Sequence, residues 1–114
     1  MTKPSRTIKQ MTNEVVKSFD SYIAQGTKKW NWQSAAKDLP YQVGSIAKIM
    51  QQMTNERWAE GKSQSQLKKE LSDELADTIG CALFVAAELK IDMDDAWEQM
   101  LESDKQKVSQ RLRK

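Results

Sequence analysis

Apolar residues recur along this chain at three- and four-residue intervals, the spacing of one face of a helix. In residues 5–25 the series is Ile8, Met11, Val15, Val16, Phe19, Tyr22 and Ile23. Pro4 precedes it and Gly26 follows, each where a helix boundary suits its backbone. A connection, "TKKWNWQSAAK", comes next. The second helix is expected to start with Asp38 as N-cap and Pro40 in its first turn, where a missing N–H costs little. Its stripe reads Leu39, Val43, Ile46, Met50 and Met53, and it runs to about Glu60, with "EGKSQSQ" as the break.

The third helix covers roughly 65–89. Leu67, Leu71 and Leu75 line one side of its first half, whereas "TIGCALFVAAEL" is apolar nearly all round. Such a helix is buried on most faces. A 114-residue chain struggles to surround one helix so fully. The stretch 78–87 is therefore expected to be covered by a second copy, in a homo-oligomer. The fourth helix opens at "KIDMDDAW", with Asp92 as N-cap and Asp95 three residues on. Trp97, Met100, Leu101, Val108 and Leu112 follow on one side.

Four Gly and two Pro are too few for a many-stranded β fold. The pattern thus predicts an all-α fold, and no repeat or long linker divides residues 1–114 into more than one domain. No apolar run is long enough to span a membrane, so no membrane partner is expected. "MTKPSRTIKQ" has no apolar signal core, which makes a cytoplasmic location the expectation. One Cys excludes an internal disulfide framework, and Cys81 in "IGCALFVAA" reads as a buried thiol. The absence of His removes the commonest general base and zinc ligand.

The net charge of +2 implies no strong nucleic-acid field. The basic end, "KQKVSQRLRK" over 105–114, follows the acidic "IDMDDAWEQMLESD". One helix through both would have its charges matched to its dipole, a simpler account than nucleic-acid binding. A recognition helix with exposed Arg, Asn or Gln beside a tight turn is also missing.

The candidate chemistry lies in "KELSDELADTIG". Glu70, Asp73, Glu74 and Asp77 fall within an arc of about 100° on the third helix. A solvated acidic face, offset by Lys68 and Lys69, is one reading. Against it, the line Glu70–Glu74–Asp77 runs on into Cys81 and Phe84, at the mouth of the apolar half. Carboxylates placed there want a cation, and oxygen ligands without His or Cys suit Mg²⁺ or Mn²⁺.

"LPYQVGSIAKI", then "ELSDELADTIGCALFVAAELKIDMDDAW", then "SDKQKV" resembles the MazG-type nucleoside triphosphate pyrophosphohydrolases, in particular the dCTP-pyrophosphatase branch, from about Trp30 to Lys107. The resemblance implies an all-α bundle of four to five helices, assembled as a homo-oligomer (dimer or tetramer) with a shared helical core. It implies that (d)NTP is converted to (d)NMP and pyrophosphate by Mg²⁺ held between two acidic motifs. Glu74 and Asp77 match the second motif, as metal ligands and catalytic residues. In the first motif, normally Glu-x-x-Glu around Val-Gly, this chain has Gln42 and Ser45, and Tyr41 stands at a preceding position that is often acidic.

Both replacements are neutral. If each lost charged contact is worth about 1.5–3 kcal/mol, two cost roughly 10²–10⁴ in metal affinity. Glu56 is about 16 Å past Ser45 along the axis and too far to substitute, and Asp38 is expected to be occupied as a cap. A weaker single-metal site of Glu70, Glu74 and Asp77 remains an option. Trp30 or Trp32 would stack on a base, or plug the space between the first two helices. Lys107 would meet phosphate, or simply end a solvated helix, and Asp104 stands where the family often has Asn. The expectation is a pyrophosphohydrolase homologue with activity weakened or lost. The alternatives are a non-catalytic nucleotide-binding or protein-interaction module of the same fold, and, third, a small helical regulatory nucleic-acid-binding protein.

Overall fold

The computed structural model describes residues 5–24 and 31–112, with the side chains of 22–24 left aside. These residues form four helices and no strand: α1 (Ile8–Ala24), α2 (Trp32–Met53), α3 (Gln64–Glu88) and α4 (Met93–Leu112). The predicted helix at 5–25 begins at Ile8 because Thr7 caps it. The Thr7 hydroxyl accepts from the Gln10 N–H at 3.1 Å, and the Gln10 side chain accepts from the Thr7 N–H at 2.8 Å. This reciprocal pair satisfies two donors that the first turn leaves open. The expected closure at Gly26 lies outside the described residues.

α2 departs most from expectation. It starts at Trp32, and its N-cap is Asn31, whose Oδ1 accepts from the Ser34 N–H at 2.9 Å. Asp38 is therefore no cap, and Pro40 lies inside the helix. Proline there removes one backbone hydrogen bond and crowds the preceding turn, which typically costs about 3 kcal/mol. Packing holds the extra turns in place: Ala35 is wholly buried, with Trp32 and Leu39 half-buried beside it.

The buried face of α2 is also rotated from the expected stripe. Ile49 and Gln52 are buried, and Gln42 and Ser45 are half-buried, whereas Val43 and Met50 are more than half exposed. α2 ends at Met53, short of Glu60. Asn55 takes a left-handed φ of 62° and the Glu56 N–H reaches back to the Gln51 carbonyl at 2.9 Å. Asn tolerates that conformation, and the reach-back joins the Arg57 N–H at 3.2 Å and the Thr54 hydroxyl at 3.3 Å in satisfying a carbonyl at the helix end.

α3 begins with a capping box, Ser63 with Gln66, and its end is close to the expected one. It pairs antiparallel with α2, since Gln42 meets Cys81 near one end and Gln64 meets the Met53 carbonyl near the other. α1 crosses α3, with Phe19 edge-on to Phe84 at 4.6 Å between ring centroids. The core lies among these three helices: Ala35, Ile49, Leu67, Cys81, Leu83, Phe84 and Ala86. Within one chain the second half of α3 is not covered all round, with Ile79 51% exposed.

α4 starts where expected. Asp92 Oδ1 accepts from the N–H groups of Asp94 and Asp95 at 3.0 and 3.2 Å. Its substantial packing is against α1 alone, and every described residue from Trp97 onward is exposed. No described helix is long and apolar enough to cross a membrane.

Candidate functional site

The antiparallel pairing of α2 and α3 brings Gln42 and Ser45 to the neighbourhood of Glu74 and Asp77, but it splits the four between two clefts. Gln42 and Asp77 line a cavity of about 430 Å³ that also holds Asp38 and Cys81, with Val15 and Phe19 of α1 as its apolar wall. Ser45 and Glu74 line a second cleft of about 280 Å³, with Glu70, Asp73, Lys48 and Lys62. Glu74 and Asp77 stand nearly one turn apart on α3, and each opens into a different cleft.

Gln42 sits against the core. Its Nε2 donates to Cys81 Sγ at 3.2 Å, and its Oε1 is buried with no partner. Burial pushes the Cys81 thiol above its ordinary pKa, and the Gln42 donor pulls it partly back. The thiol is therefore neutral near pH 7 and a poor ligand for a cation. Tyr41, one residue earlier, points to solvent at 78% exposure.

Lys62 organises the second cleft. Its Nζ lies 3.0 and 3.2 Å from the two Glu70 carboxylate oxygens and 3.9 Å from Glu60, which also stands 3.9 Å from Lys48. The Glu70 hydrogen bond, supported by the charges of Glu70 and Glu60, raises the Lys62 pKa against a smaller opposing effect of burial. Lys62 remains an ammonium at any physiological pH.

The chain delivers Lys62 through the turn 59–62. Glu60 (φ 57°) and Gly61 (φ 78°) are both left-handed, and the Lys62 N–H closes on the Ala59 carbonyl at 3.0 Å. Gln52, 1% exposed, ties the same connection down by donating to the Trp58 carbonyl at 3.1 Å. Sequence reasoning read 60–66 only as a break and missed both Lys62 and Gln52. The left-handed turn is signalled by Glu-Gly, but no periodicity marks a loop lysine that reaches an acid eight residues on.

The other expected positions are dispersed. Lys107 is exposed on α4 and lines neither cleft. Trp30 lies outside the described residues, and Trp32 is half-buried at the start of α2. Glu56 is exposed in the connection after α2.

Among the described residues no group of three His, Cys, Asp or Glu side chains is placed to hold a metal ion. Of the expected grouping Glu70, Glu74 and Asp77, the first two line one cleft, where Glu70 is engaged by Lys62, and Asp77 lines the other cavity. Comparisons of the chain with family models, with curated proteins and with solved structures give no match.

Proposed function

We propose that this chain is a MazG-like homologue of the nucleoside triphosphate pyrophosphohydrolases in which Mg²⁺-dependent conversion of (d)NTP to (d)NMP and pyrophosphate is weakened or lost. The observation that carries the reading is the Lys62–Glu70 ion pair at 3.0 Å inside the cleft of Ser45 and Glu74. A divalent ion needs net negative charge from its ligands. This cleft offers a neutral hydroxyl at Ser45 and ammonium groups at Lys48 and Lys62 that offset two of its three carboxylates, of which Glu70 is already paired. The second reading, a non-catalytic interaction module, draws on the uncovered apolar stripe of α4.

The test is pyrophosphate release from a panel of dNTPs with Mg²⁺ or Mn²⁺. The expected outcome is turnover far below the usual range of about 1–10³ s⁻¹. Turnover within that range, abolished by Glu74→Ala, would overturn the proposal. Calorimetric titration with Mn²⁺ adds a check independent of activity. Gln42→Glu with Ser45→Glu should raise affinity over the parent chain, and Lys62→Met added to that pair should raise it further. Absence of binding in both variants would argue against the alignment with the family.

A further inference from the structure

The cavity between α1 and the α2–α3 pair is lined by acceptors and by no cation. Asp38, Asp77, the Gln42 amide and the neutral Cys81 thiol line it, and no Lys or Arg does. Among the described residues neither carboxylate has an ion-pair partner. Gln42 Oε1 is buried with no hydrogen bond, and a buried acceptor in that state calls for a donor. Val15 and Phe19 of α1 form the apolar wall. At about 430 Å³ the cavity has the size of a small-molecule site.

The helix pairing sets the spacing of the two carboxylates. Gln42 meets Cys81 at 3.2 Å. Asp38 stands one turn before Gln42 on α2, and Asp77 one turn before Cys81 on α3, each about 6 Å along its axis. Because the helices run antiparallel, those two steps go in opposite directions. The carboxylates therefore bracket the Gln42–Cys81 contact, roughly 12 Å from each other along the cavity. Burial is the main push on the Cys81 thiol, and Asp38 and Asp77 both add to it against the Gln42 donor, so both charges bear on that midpoint. One metal ion cannot bridge such a gap, since its oxygen ligands lie within about 2.6 Å of it. One molecule with a positive group at each end can.

We propose that this cavity binds a linear aliphatic polyamine, with one terminal ammonium at Asp38, the other at Asp77, a central N–H donating to Gln42 Oε1, and the methylene stem against Val15 and Phe19. Ammonium groups donate and do not accept, which matches a lining of acceptors. A triamine with nine bonds between its end nitrogens spans roughly 11 Å when extended, close to the carboxylate spacing. Methylenes laid on the apolar wall add favourable burial. The chain as a whole carries a net charge of +2, so no general field draws a polycation to it. The proposal does not rest on the hydrolase reading, because the Ser45–Glu74 cleft takes no part in it.

Calorimetric titration at fixed ionic strength tests it, with spermidine as the triamine. One spermidine should bind per chain, saturating at sub-millimolar concentration. Octamethylenediamine has the same span without the central nitrogen and should bind roughly fivefold more weakly. Ethylenediamine is too short to reach both carboxylates and should not saturate. Asp38→Asn and Asp77→Asn should each lower spermidine affinity about fivefold; both positions are exposed, so the fold is not at stake. Gln42→Met should erase the preference for spermidine over octamethylenediamine. Glu102→Gln, which removes an acid of α4 outside the cavity, should leave affinity unchanged. Absence of saturable binding, equal binding of ethylenediamine, or an equal loss in Glu102→Gln would each overturn the proposal, the last by showing attraction to any surface acid.

Discussion

Gln42 carries a polar group into the packed face of α2, and half of that group is unsatisfied. Its N–H₂ finds only the weak acceptor Cys81 Sγ, and its Oε1 finds nothing. A buried acceptor without a partner costs about 1–3 kcal/mol, and a thiol returns little of it. Gln42→Met keeps the volume and removes both the orphan and the weak bond. Its stability in urea denaturation should equal or exceed the parent's, by up to about 1 kcal/mol. A loss above that range would show that the amide has a partner of real strength. At Lys62 the same scale decides the opposite way. A side chain in an ordinary loop matters because a carboxylate stands 3.0 Å from it.

Each helix is delimited by local chemistry that a few residues encode. Thr7–Gln10 and Ser63–Gln66 are reciprocal boxes, and Asn31 and Asp92 cap with their carboxamide and carboxylate oxygens. The C-terminal ends of α2 and α3 share one device: a left-handed residue, Asn55 or Lys90, followed by an N–H that returns to a carbonyl five residues back. Lys90 is the strained member, because its Cβ crowds the backbone at φ 58°. Lys90→Gly should therefore stabilise the chain by about 0.5–1 kcal/mol, read as a higher urea midpoint at unchanged slope. No gain would mean that the Lys90 side chain makes a compensating contact.

At the scale of the molecule, three helices share a small core and the fourth lies beyond it. The radius of gyration is 17.7 Å, against about 13 Å for a compact domain of this length. A chain that leaves so much apolar surface open should gain stability from association. Its midpoint of thermal unfolding should rise with protein concentration, as mass action requires of a folded dimer. A midpoint independent of concentration across a hundredfold range would separate folding from assembly.

Much of the architecture was legible in the chain. The four helices follow from apolar spacing, and the start of α4 from Asp92, because both are local signals within one or two turns. The ends of α2 were misread because Asp38-Leu39-Pro40 resembles a helix start as closely as Asn31-Trp32-Gln33 does. Only the burial of Ala35 and Trp32 decides between them. The rotation of the α2 face was hidden for a related reason. Ile46–Met50 and Ile49–Gln52 are both acceptable stripes, and the choice depends on where α3 places Leu67 and Cys81.

The sequence by itself determined the all-helical class, the neutral residues at Gln42 and Ser45, and the acid-to-base gradient of α4. These depend on residue identity and on neighbours along the chain. Tertiary structure alone decided that Glu74 and Asp77 open into separate clefts, that Lys62 holds Glu70, and that Val43 and Met50 face outward while Gln42 faces in. Those outcomes depend on the rotation of one helix against another and on the path of one loop. Both are settled by the packing of side chains distant in sequence, which no local pattern records.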